Sequence, residues 1–135
     1  MRYLAIDYGS KRTGLAICDQ SETIVSPLAV IEGKQELFAK IIDIIKSENA
    51  EALVVGLPLN MDDSVGQQAK LAIGFAEELK KHIDVPIHFQ DERLSTFDAE
   101  EKIAPAELSR KKKKKRLDAI AAASILEAFL QQKKT

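Results

Sequence analysis

Residues 52–57, Ala-Leu-Val-Val-Gly-Leu, form a continuous apolar run that Pro58 stops. A strand without polar alternation needs cover on both faces, so this run reads as a central parallel strand of an α/β sheet. The neighbouring segments supply the rest of that sheet. Residues 3–6 and 15–18 are short strand-compatible runs, and residues 9–14 between them read as a hairpin connection. Residues 24–31 read as a third strand, with Pro27 pointing to an edge position or a bulge.

Residues 35–46 carry Leu37, Phe38, Ile41, Ile42, Ile44 and Ile45 mostly at helical spacing, which predicts an amphipathic helix. After the polar loop 60–66, the steps Leu71, Phe75 and Leu79 predict a helix over about 65–82, with Asp63 or Ser64 as N-cap. Residues 86–90 read as a strand, Ser95 or Thr96 as the cap of a short helix through Ile103, and Pro105 with the lysine run as a mobile connection. Residues 117–132 form the last helix. Three strands followed by two alternations of helix and strand predict a mixed five-stranded sheet in a single domain spanning residues 1–135.

With 135 residues and 45% hydrophobic content, the chain can fold without staples. Its single cysteine, Cys18, excludes an internal disulfide and a multi-cysteine zinc site, and reads as small core filler. His82 and His88 have no second ligand at metal spacing and read as structural. No apolar run reaches the roughly 20 residues of a membrane span, and Asp7 interrupts the N-terminus before a signal-peptide core could form. The expectation is a cytoplasmic protein with no membrane partner.

Net charge is −1, but it is segregated. Residues 110–116 are seven consecutive basic side chains, and the other 13 basic residues face 21 acidic ones, an excess of eight negative charges. Such a run attracts phosphate backbones through a salt-sensitive field, although basic runs are also common as merely solvated loops. Lys111, Lys112, Lys113 and Lys114 are therefore candidate nucleic-acid contacts, with Lys11 and Arg12 in the first hairpin.

In open α/β sheets, sites form beyond the carboxyl ends of the parallel strands. Asp7 ends the first strand, and Asp91 with Glu92 ends the fifth. Asp118 adds a third position, because it shares a helical stripe with Ala121, Ala122, Ile125 and Phe129. The bland reading is that Asp7 shapes a turn and Asp118 complements a helix dipole. If the three acids converge, their repulsion calls for a divalent cation, and hard oxygen donors select Mg2+ or Mn2+. Such an ion can activate water for attack on phosphorus. None of Ser10, Ser64 and Ser95 has a histidine near it in sequence, so covalent hydrolase chemistry has no positive signal.

Four segments together carry a resemblance over nearly the whole chain. They are Asp-Tyr-Gly-Ser-Lys-Arg-Thr-Gly (7–14), Val-Val-Gly-Leu-Pro-Leu-Asn-Met-Asp (54–62), Asp-Glu-Arg-Leu-Ser-Thr (91–96) and Leu-Asp-Ala-Ile-Ala-Ala (117–122). In order and spacing they resemble the YqgF/RuvX family of candidate pre-16S rRNA nucleases, also described as Holliday-junction-resolvase-like. The resemblance implies an RNase H-like fold and 5′-end processing of pre-16S rRNA during ribosome biogenesis, with RuvC-like junction resolution as the older proposal. By motif position it assigns the acidic triad to Asp7, Glu92 and Asp118, choosing Glu92 over Asp91. Lys11, Arg12 and Arg93 are then expected to contact phosphate or carboxylate, their alternative being surface or turn charge. One departure is visible: Asp63 stands where the family usually has glycine, adding a negative charge to a loop beside the site.

The expected partner is structured RNA, with ribosomal particles in view, and the expected oligomeric state is a monomer or weak homodimer. The competing readings are a non-catalytic RNA-binding assembly factor and a DNA junction resolvase. An actin-like or sugar-kinase fold also opens on an Asp-x-Gly hairpin, but it duplicates the unit into two lobes, which 135 residues do not supply.

Overall fold

The computed structural model describes residues 1–94 and 110–134. Strands β1 (Tyr3–Tyr8), β2 (Arg12–Cys18) and β3 (Val25–Glu32) come first. They are followed by α1 (Leu37–Ser47), β4 (Ala52–Leu57), α2 (Gln67–Lys80), β5 (Ile87–Asp91), a 3-10 turn at Glu92–Leu94, and α3 (Arg110–Lys133). The five strands form one mixed sheet in the order β3-β2-β1-β4-β5. β2 pairs antiparallel with β1 and β3, whereas β4 pairs parallel with β1 and β5. The uninterrupted apolar run at 52–57 thus occupies the interior position its composition demands. Pro27 falls on the edge strand beside a register shift between Leu15 and Ala16, so both of its expected signatures occur.

Strand alternation divides the core in two. Leu4, Ile6, Leu15, Leu53 and Val55 face α1 and α2, together with Ile41, Phe75 and Leu79. Tyr3, Ala5, Ala16, Ala52 and Val54 face α3, where Ala122, Ala123, Ile125 and Leu126 cover them. Small residues on both sides of this second interface let α3 lie close to the sheet. Cys18 is buried there and its Sγ accepts the Tyr3 N–H at 3.2 Å, while His88 packs against the rings of Tyr3 and Phe129.

Several expectations need correction. α2 starts at Gly66 as N-cap with no side-chain cap bond, rather than at Asp63 or Ser64. Leu71 is 47% exposed, because the buried stripe of α2 runs through Ala69, Ala72, Phe75, Ala76 and Leu79. α3 begins at Arg110, so the basic run expected as a mobile connection forms the first two turns of a helix. Seven like charges weaken a helix, but these are continuous with a segment docked across the sheet, and packing overrides local propensity. The short helix expected to end at Ile103 lies outside the described residues.

Candidate active site

Asp7 continues the α3-facing alternation of Tyr3 and Ala5, so its carboxyl group lies on that face rather than in a solvent turn. Two glycines flank it. Gly14 on β2 is its direct cross-strand partner, and Gly56 on β4 lies one step beyond the Ile6↔Val55 pair. A Cβ on Gly14 would collide with the backbone carbonyl of Asp118, and one on Gly56 would collide with the Glu92 carboxyl group. The missing side chains are therefore what allow α3 and the β5 end to bring their acids beside Asp7.

Asp7 and Glu92 are hydrogen-bonded to each other. Two carboxyl groups can do this only if they share a proton. Burial, then the charge of Asp7, then their shared bond push Glu92 up to about 8. Burial likewise raises Asp7, opposed by the Glu92 bond and reinforced by the charge of Asp118. Both carboxyl groups thus hold a proton more readily than in water, and the two titrate as a unit.

Glu92 binds its proton more tightly folded than unfolded, where its ordinary value is 4.5. That contribution is complete below pH 4.5 and is lost as pH rises toward 8. With chelator present, Glu92→Gln should match the parent near pH 4. By pH 8 it should melt a few degrees higher, on the order of 1 kcal/mol, by thermal denaturation. A lower midpoint across the whole range would contradict the shared-proton arrangement.

Asp118 sits in α3 with its side chain 30% exposed, and Arg12 Nε donates to its Oδ2 at 2.6 Å. The third acid is thus beside Asp7, close enough for its charge to be felt there, but turned to Arg12. Among the described residues, no three His, Cys, Asp or Glu side chains are gathered into a metal-holding group. Two acids meet directly, and the third is tied alongside. The donors are all hard carboxylate oxygens, and a pair that must retain a proton to coexist suits a divalent cation that could replace it.

The family described as RuvX, Holliday junction resolvase, matches residues 1–132. The chain belongs to the RuvX family. Two relatives, each named "Putative pre-16S rRNA nuclease", show how closely. The one from Maridesulfovibrio salexigens is 39% identical over 132 residues, 96% of this chain and 98% of its own. The one from Caldanaerobacter subterraneus is 41% identical over 137 residues, 99% of each chain. Among solved structures, Thermus thermophilus RuvC bound to a Holliday junction substrate is 16% identical, with a TM-score of 0.64 covering 99% of this chain and 96% of that one. The fowlpox virus Holliday junction resolvase is 12% identical, with a TM-score of 0.56 covering 98% and 99%. The fold of this RuvX-family member is RNase H-like, as the resemblance implied.

The remaining candidate residues divide clearly in this RuvX-family site. Glu92 turns to Asp7, whereas Asp91 accepts three side-chain bonds from the Arg93 guanidinium and one from the Arg93 N–H. Arg93 also donates to the carbonyls of Asn60 and Met61 and pairs with Asp63 at 2.7 Å. Arg93 therefore meets carboxylates of its own chain and clamps the 60–63 loop to the end of β5. Asp63 has φ +70°, a conformation that glycine adopts freely. The Asp63 side chain gains an Arg93 contact there, although at 81% exposure this pair contributes little.

Lys11 is exposed in the short β1–β2 connection. Sequence reasoning missed Lys34, whose Nζ donates to the Gly9 carbonyl and lies 3.8 Å above the Tyr8 ring centroid, bracing that connection. Twenty-five residues separate Lys34 from Gly9, and nothing in the local pattern couples them.

Proposed function

We propose that this chain is a divalent-metal-dependent nuclease that processes the 5′ end of pre-16S rRNA, with Asp7, Glu92 and Asp118 as the residues that would hold Mg2+ or Mn2+. The observation that carries this reading is the meeting of the Asp7 and Glu92 carboxyl groups on the α3-facing side of the sheet, with Asp118 brought beside them over Gly14. When bound, the cation would supply a water of lowered pKa and neutralise the leaving oxygen. The buried carboxylates orient that chemistry, and their crowding disfavours any arrangement that leaves all three charged and uncompensated.

Substrate contact falls to the cations around this edge. Lys11 and Arg12 lie at the β1–β2 connection. Lys111, Lys112, Lys113 and Lys114 belong to the turns of α3 that precede Asp118, a basic helical arm about 12 Å long at 1.5 Å per residue. Such an arm would attract a phosphate backbone without reading its bases, so binding should weaken with salt. A cytoplasmic location fits an RNA-processing role. Among the described residues, no helix is long and apolar enough to cross a membrane.

The test is incubation of purified protein with 5′-extended 16S precursor RNA and with a four-way DNA junction, each with Mg2+ or with chelator. The expected result is shortening of the RNA only with the cation. Cleavage of the junction alone would transfer the proposal to DNA and favour a dimer, since two symmetric cuts need paired sites. Binding without cleavage of either would favour an RNA-binding assembly factor.

A further inference from the structure

We propose that Arg12 is a latch on Asp118: its guanidinium competes with the divalent cation for that carboxylate, and cation binding releases it toward the substrate phosphate. This rests on the metal-site reading above and adds a role for Arg12, the one cationic side chain among the described residues that touches Asp7, Glu92 or Asp118.

Three observations support the latch. The Arg12 Nε to Asp118 Oδ2 distance of 2.6 Å is that of a short, charge-assisted bond. Both side chains are largely covered, at 25% and 30% exposure, so solvent and salt screen the pair less than a surface bridge. The backbone at Asp118 is seated against Gly14 and has little freedom to move. Its carboxyl group can therefore change partner mainly by side-chain rotation, between Arg12 and the Asp7–Glu92 pair. A latch explains why the third acid is beside the other two yet not gathered with them among the described residues. The alternative is a permanent tie between β2 and α3, which would hold Asp118 in place and help a cation bind.

Calorimetric titration of Mn2+ into the full chain separates these roles. Arg12→Met should bind Mn2+ roughly three- to tenfold more tightly than the parent, the size of effect a partly buried ion pair can exert. In an Asp118→Asn background, the same Arg12→Met change should alter affinity by less than about twofold, because the competition is gone. Unchanged or weaker binding by Arg12→Met overturns the latch in favour of a structural tie. An equal gain in the Asp118→Asn background overturns it in favour of a general charge effect on Asp7 and Glu92. If the parent binds no Mn2+, the metal-site reading fails and takes the latch with it, whereas failure of the variant pattern alone removes only the latch. The unmodified chain offers a check that needs no variant: Mg2+ should shift the Arg12 Nε–H resonance and speed its exchange with water. A resonance unmoved by saturating Mg2+ overturns the proposal.

Discussion

Asp7→Asn is expected to abolish RNA hydrolysis, lowering the single-turnover rate by at least about 10²- to 10³-fold, while RNA affinity stays within about twofold. Loss of a residue that merely orients a metal ligand typically costs 10- to 100-fold, so loss of a central carboxylate should cost more. The fold should survive, because an asparagine there can still bond to Glu92 and removes a charge from a crowded, half-buried position. The basic α3 arm and the β1–β2 connection are untouched, so the phosphate field persists. Rapid-quench cleavage and filter binding on the same preparation check both halves. Parallel loss of binding and cleavage would mean that Asp7 supports the RNA-binding surface rather than the chemistry.

Gly14→Ala should cost about 2–3 kcal/mol and lower the thermal midpoint by roughly 10 °C. The atoms a Cβ would meet belong to the Asp118 backbone, not to a flexible side-chain tip. Relief therefore requires α3 to lift from β2, opening the interface where Ala16, Ala122 and Leu126 are fully buried. Because the displaced residue is Asp118 itself, cleavage should fall as well. Gly74→Ala is the control: it lies inside α2 with nothing within 4 Å of its added Cβ, and it should be neutral or stabilising by up to about 1 kcal/mol. Equal midpoints for both variants, measured by calorimetry, would show that the α3–β2 approach is looser than the structure places it.

The contrast between these glycines bears on how much of the molecule could be read from its sequence. The unbroken apolar run at 52–57, the period-two strands and Pro27 each carry a local signal, and the mixed five-stranded sheet they imply is the observed one, although its strand order was not legible in them. The stripe through Asp118 and Ala122 likewise marks the α3 face that meets the sheet. What escaped notice was signalled in a different way. Gly14 and Gly56 lie inside strands, where glycine weakens the element unless another group must approach closely. Read so, they mark the two places where Asp118 and Glu92 come in.

Other features have no local signature. Arg12 finds its partner 106 residues away, and Lys34 braces a connection 25 residues upstream. The exposure of Leu71 reflects alanines that set how near α2 can lie to the sheet, a tertiary fact that four-residue spacing does not encode. The helical state of the basic run likewise comes from its continuity with a docked helix, against the repulsion its own charges exert.

The central claim is that three acids from β1, the end of β5 and α3 serve one divalent cation. Its most direct test is calorimetric titration of Mg2+ into the parent chain and into Asp7→Asn, Glu92→Gln and Asp118→Asn at pH 8. The expected result is saturable binding by the parent, weakened at least about tenfold in each of the three variants. Mg2+ binding that all three substitutions leave unchanged would contradict the account.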